Sequence, residues 1–476
     1  MVLIRKTNLI TLIVLVICSI ILISSCKKNE FASAPENIIT TTADTLRFDT
    51  VFVNSGSILK QFKIINSNNK KILLNNIRLG GSAASFFKMN VNGVSTANIS
   101  NIEIPKNDSI YIFIQVNAAT NLSTMPFILT DSVVIDYNNK QQKVQLEAFG
   151  KNANFIRNGI LKTPTIFNNT LPYVLIGNFI VDTFATLTIP QGCRIFCHAT
   201  AAIIVNGSLI INGNNTDTLK RVIFTGNRLD DDYRDLPASW PGIVFTTLSK
   251  NNSIKGAIIK NAYQAIAIAP QGVAPIPKLV LENTVIENAF DFGLLAVNTS
   301  INATNNLIFN CGTNMALVQG GIYNFEHCTS ATINTNFILH TNPNVTVTNF
   351  ANNNGTIVTN NLTANFKNCI FWGESSPLVE DEVKVLRQGG TVFNVNFNKC
   401  LYRNVNAVPN ATFTGAITNV NPQFDSINAF KKIFSFKLKA NSPALNIGAA
   451  TTLLFDMDSK NRTFGVLPDL GCYERQ

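Results

Sequence analysis

The sequence predicts an all-β protein: an N-terminal immunoglobulin-like sandwich followed by a β-solenoid with a C-terminal cap. Three observations carry this. One short phrase recurs six times, as Gly256-Ala-Ile-Ile259, Asn283-Thr-Val-Ile286, Asn305-Asn-Leu-Ile308, His327-Cys-Thr-Ser330, Asn368-Cys-Ile-Phe371 and Lys399-Cys-Leu-Tyr402. Its steps are 27, 22, 22, 41 and 31 residues. A step near 22 is too short for a two-helix repeat of about 34 residues, but it suits one coil of strands stacked about 4.8 Å apart. Upstream, residues 44–150 alternate apolar and polar side chains in short runs parted by turn residues, the spacing of a sandwich. Finally, apolar residues three and four apart are scarce, while 65 Asn supply corners, because a short amide tolerates the left-handed conformation and bonds its own backbone.

Taken in order, the chain opens with Arg5-Lys6, an apolar run from Leu9 to Ile23, and Ser24-Ser25-Cys26. That run is shorter than the roughly 20 residues of a spanning helix. A basic start, a short apolar run and small residues describe a secretory signal over 1–25. The cysteine that ends it resembles a lipobox, which implies cleavage before Cys26, its acylation, and a membrane anchor. Residues 26–43, rich in Ser, Thr, Asn and Lys, read as a flexible tether. Loss of 1–25 takes the net charge from +10 to +8. A mild surplus could favour anionic polysaccharide or lipopolysaccharide, but a solvated surface is the favoured reading, since the Lys-Lys pairs are only Lys27-Lys28, Lys70-Lys71 and Lys431-Lys432. Nucleic acid is not an expected partner: no basic-aromatic groove pattern is present.

The sandwich, 44–150, shows its alternation best in Ile110, Ile112, Ile114 and Val116, and in Val144, Leu146 and Ala148. Asn54-Ser-Gly56, Pro105-Lys-Asn-Asp108 and Asn138-Asn139 supply turns. No cysteine lies here, so the module depends on apolar burial. The solenoid, 151–450, begins with a capping segment to 182. Leu187-Thr-Ile189, Cys193–Cys197, Ala202–Val205 and Leu209–Ile211 then read as faces of early coils. The steps of 41 and 31 imply an extra coil or loops between Gln319 and Lys399. Exposed ends of a stack must be covered. Residues 433–476, with the cap proper at 451–476, are expected over the far end.

With the Trp240-Pro-Gly-Ile-Val-Phe245 and Asn368-Cys-Ile-Phe-Trp-Gly373 rungs, and the ending Asn441–Gly448 followed by Asp469-Leu-Gly-Cys-Tyr-Glu474, most of the chain resembles right-handed parallel β-helix (pectin-lyase-like) lipoproteins of Bacteroidetes-type bacteria. The resemblance implies an outer-membrane lipoprotein, on either the periplasmic or the cell-surface side. It says little of activity, because this architecture hosts lyases, hydrolases, adhesins and spacers.

Seven cysteines follow Cys26. Cys193 and Cys197 lie about 13 Å apart along one strand, too far for a disulfide. Cys328, Cys369 and Cys400 share one slot of the phrase and read as a column of small core residues rather than a thiolate metal site. Family lyases need a basic residue and Ca²⁺-binding acids, and hydrolases need close carboxylates. Between Phe292 and Phe366 the only charged residue is Glu326. His327 stands where sister coils carry Asn, as a corner residue. Acids cluster instead at Glu374 with Glu380-Asp-Glu382, at Asp456-Met-Asp458 with Arg462 and Asp469, and at 228–235. Arg228, Asp230, Asp231, Asp232, Arg234 and Asp235, with Trp240 beside them, form the candidate cation or sugar site, and Ca²⁺ would favour such hard oxygens. The expected function is a non-catalytic β-helix surface for binding or scaffolding, with glycan as a candidate ligand. The alternative is a polysaccharide lyase or glycoside hydrolase.

Overall fold

Every regular element but one is a strand among the described residues of the computed structural model, which are 30–476 apart from 54–55, 82–84, 120–122, 272–275, 336 and 375. The proposed signal, 1–25, and Cys26 lie outside the described residues. The chain divides into two units after Lys151.

The first unit is a sandwich of two five-stranded sheets. One orders its strands Thr40–Thr41, Lys60–Asn66, Asp108–Val116, Phe87–Val91 and Val94–Ser95, all antiparallel. The other orders Thr45–Phe52, Lys140–Lys151, Phe127–Tyr137, Ile72–Leu79 and Asn98–Ile104, with only its first pair parallel. Alternation sets the faces: Ile110, Ile112, Ile114 and Val116 are buried, while Tyr111 faces solvent. Val144, Leu146 and Ala148 do the same for the second sheet.

The second unit is a parallel β-helix. Its strands form one 11-stranded and one 17-stranded sheet, and partner registers reproduce the phrase spacing: Leu281 pairs with Ala303, Ala303 with Phe325, Phe325 with Phe366, and Phe366 with Phe397. The long steps therefore contain loops rather than an extra coil. Between Glu326 and Leu362 the chain makes an excursion at 333–344 and an antiparallel hairpin, Phe350–Asn353 with Thr356–Thr359. All six first residues of the phrase are left-handed, with φ of 62° at Gly256, 50° at Asn283, 54° at Asn305, 53° at His327, 57° at Asn368 and 53° at Lys399. A strand can turn through a sharp corner there without closing a hydrogen-bonded turn.

The interior stacks like on like. Phe325, Phe366, Phe397 and Phe413 have successive ring centroids 5.4, 4.6 and 4.7 Å apart. Cys328, Cys369 and Cys400 are buried beside them, and their thiols donate to backbone carbonyls such as Glu326 O and Lys367 O. Burial raises the thiol pKa of Cys328 and Cys369 well above the ordinary value, so they behave as core filler, not nucleophiles. Outside, Asn324, Asn365 and Asn396 each donate an amide N–H at 3.0 Å to the Asn one coil earlier, beginning at Asn302.

Strand Leu307–Phe309 of the 11-stranded sheet is apolar and buried on both faces, because both are covered. The inner face meets the solenoid core. The outer face meets the C-terminal segment through Phe424, Phe436, Leu438, Met457, Leu470 and Cys472. This segment runs as a strap along the flank, whereas the sequence reading placed it over the end. Met457 O accepts from Arg221, Phe455 O from Asn305, and Ala449 O from Asn368, while Cys472 N donates to Thr329. Thr329 lies on its strand and Arg221, Asn305 and Asn368 just before theirs, so these four anchor points span a run of six successive strands of the sheet.

Candidate functional site

The loop between strands Val222–Gly226 and Gly242–Phe245 carries the acidic cluster. A single turn closes it, with Tyr233 N and Arg234 N both donating to Asp230 O. Its charges answer one another. Arg228 forks onto Asp230 at 3.0 and 3.3 Å and covers the Tyr233 ring at 4.0 Å. Arg234 meets Asp231 at 2.9 Å and Asp235 at 3.7 Å. Asp232 is exposed. Trp240 is only 1% exposed, stacks on Phe224, and donates its indole N–H to Lys260 O. It is a core residue and offers no face to a sugar, because a rung that closes the coil interior needs a large apolar filler. Among the described residues no three His, Cys, Asp or Glu side chains converge as metal ligands.

The loop backbone is docked on the coil corners. Asn261 donates to Arg234 O, and Asn288 to both Asp235 O and Asn261 Oδ1. That docking delivers Asp235 to a cleft of about 230 Å³ between the corner row Asn261, Asn288 and Asn310 and the hairpin Phe424–Asn428 with Ile433–Leu438. Lys260 and Glu287 come from the coils, Lys432 and Phe430 from the hairpin, and Phe337 from the 333–344 excursion. Phe430 is 91% and Phe337 41% exposed. Two residues after Asn261 and Asn288, Tyr263 and Phe290 form an exposed pair with ring centroids 5.7 Å apart.

The two acids of the cleft are driven apart. Burial works to raise the Asp235 carboxyl, but the hydrogen bond and charge of Lys432, at 2.5 Å, together with Lys260 and Arg234, hold it below the usual range. Burial raises Glu287, against Lys260 at 4.0 Å and with the nearby Asp235 charge adding to the rise. The same cleft thus pushes the proton affinities of its two carboxyls in opposite directions, Asp235 down through its cations and Glu287 up through burial. Of the sequence candidates, only Asp235 lines the cleft. Glu287, Lys260, Lys432, Phe337 and Phe430 carried no motif; they come from separate segments, and only the repeat register, which places Lys260 opposite Glu287, gave a signal.

The other acidic sets are structural. Glu382 is fully buried and receives His340 at 3.2 Å, Arg403 at 3.3 Å and Asn344 at 2.6 Å, tying down the excursion. Arg462, also buried, bonds Glu474 at 3.3 Å and Asn305 at 2.7 Å, and Asp456 and Asp469 accept backbone N–H groups around it. His327 occupies its corner, accepting from Asn368 at 2.9 Å.

No family model matches this sequence, and no curated protein does either. Among solved structures, a family 123 glycoside hydrolase from Clostridium perfringens, described for glycolipid glycan hydrolysis, is similar at 11% identity and a TM-score of 0.18. The match covers 24% of this chain and only 25% of that enzyme. A PapD-like domain of human CEP192 is similar at 8% identity and the same TM-score, covering 26% of this chain and 91% of that domain. At those scores neither similarity bears on fold or activity.

Proposed function

We propose that this chain is a lipid-anchored outer-membrane protein, of the pectin-lyase-like lipoprotein type, whose β-helix presents a non-catalytic glycan-binding surface. The observation that carries it is the cleft at Asp235: exposed aromatic rings beside a floor of amides and paired charges. Rings such as Phe430 and Phe337 suit the apolar face of a sugar, and orienting polar groups fix its hydroxyls. Both acids already hold ammonium partners, which speaks for recognition over turnover. The test is a glycan array probed with the solubilised lipoprotein, followed by titration of any hit. Replacing Phe430 and Phe337 together with Ala should weaken binding about tenfold, in line with the loss of roughly 1.4 kcal/mol of stacking. Undiminished binding by the double variant would remove the cleft from this reading.

A second reading, glycoside hydrolysis, is favoured by one observation: Glu287 and Asp235 share the cleft with their proton affinities pushed in opposite directions, the arrangement an acid and its partner need. Release of reducing sugar from an array hit, abolished by Glu287→Gln, would establish it over the binding reading.

A further inference from the structure

We infer that the sandwich carries its own ligand site, on the outer face of its first sheet, for a sugar bearing an anionic group. The register builds it. Phe113 stands between Gln61 on one neighbouring strand and Asn90 on the other, while Gln115 stands beside Lys88 and Tyr111 beside Lys63. These side chains all point outward, away from buried Phe62, Ile112, Ile114 and Met89. The rings of Tyr111 and Phe113 are stacked, 17° from parallel at 5.9 Å, and Lys63 covers Tyr111 at 4.6 Å. Tyr111 is thus flanked by Lys63 and Phe113 while remaining exposed. Next to Phe113 lies a depression of about 400 Å³, within the range of small-ligand sites. Phe113 and Leu59, which is 59% exposed, give it an apolar wall, and Lys88, Asn90, Gln115 and Ser95 give it a polar one.

The polar groups are oriented. Gln115 spends an amide N–H on Ser57 O at 3.1 Å, and Asn90 Oδ1 receives Gly93 N at 2.8 Å. The remaining Gln115 oxygen and Asn90 amide N–H groups are one acceptor and one donor set, the complement of vicinal hydroxyls. The charge is one-sided. The one Asp or Glu in the three central strands is Asp108, at the start of its strand and out of phase with Tyr111, Phe113 and Gln115, and Lys88 has no carboxylate partner among the described residues. An apolar wall, an oriented amide pair and one unanswered ammonium together select a sugar ring carrying a carboxylate or sulfate. An acidic peptide would match the lysine but not the ring-sized apolar wall flanked by amides. This site belongs to the sandwich alone and does not depend on the β-helix cleft.

The test uses the detergent-solubilised full chain and calorimetric titration with three tetrasaccharides (galacturonate, a sulfated heparin fragment, and neutral cellotetraose) and with polyglutamate. At least one acidic tetrasaccharide should bind, and more weakly as salt rises. Phe113→Ala should lower that affinity about tenfold, and Lys88→Gln should lower it and remove most of the salt dependence. Both residues are at the surface, so unchanged melting of the variants verifies that they fold. Galacturonate or heparin binding alone tells a carboxylate site from a sulfate site. Unaltered affinity in both variants, equal binding of cellotetraose, or equal binding of polyglutamate would each overturn the proposal. Loss of acidic-sugar binding in Phe430→Ala instead would overturn it while upholding the β-helix reading.

Discussion

At the scale of single residues, two side chains show how chemistry and position trade off. Trp240 looked like a sugar platform because it adjoins a run of acids, but the coil turns its ring inward. Trp240→Ala should cost about 3–5 kcal/mol, as large-to-small core changes do, in urea unfolding followed by the fluorescence of the remaining Trp372. Glu474 is buried against Asp469, and burial first, then that negative charge, pushes its pKa up to about 7 from 4.5. A raised acid favours the folded state fully below the unfolded value, and the benefit is lost as pH climbs to the folded value. Stability should therefore fall between about pH 4.5 and 7 by up to roughly 3 kcal/mol from this group. Glu474→Gln should flatten that stretch of the profile relative to wild type. His327 acts oppositely, since burial and then the Arg462 charge lower its pKa. The difference between the two proteins isolates Glu474, and parallel profiles would show that Glu474 titrates normally.

At the scale of elements, the corner residue decides the coil. Asn283 sits at φ 50° with its side-chain oxygen buried and unbonded. Asn283→Gly should leave stability unchanged or improve it, whereas Asn283→Val should cost roughly 1–2 kcal/mol for a left-handed β-branched residue, read from thermal melting. The corners were legible in the sequence because left-handed conformation filters residue type: Gly, Asn and an occasional His or Lys recur at fixed offsets. Alternation made the sandwich strands legible for a similar reason. The cleft was not legible, because Asp235, Glu287 and Lys432 belong to three elements that meet only after the strap has folded back. The strap itself was misplaced because Phe436, Leu438 and Leu470 advertise burial without saying on which surface. The doubly apolar strand Leu307–Phe309 was the missed hint, since it needs cover on both sides.

At the scale of the whole molecule, anchoring through Cys26 remains the premise of the envelope reading. Growth with an alkyne palmitate analogue should label the wild-type protein and not Cys26→Ala, and the variant should leave the membrane fraction. Labelling that survives the substitution would refute it. A column of coils that touch only their neighbours is ordinarily a one-dimensional array that frays from its ends. Here one ribbon of chain grips the coil of Arg221 and the coil of Asn368 together, and holds those between. Peeling a single laced rung would mean tearing the whole lacing, so the coils from Arg221 to Asn368 should come apart as one cooperative body, abruptly and without stepwise intermediates.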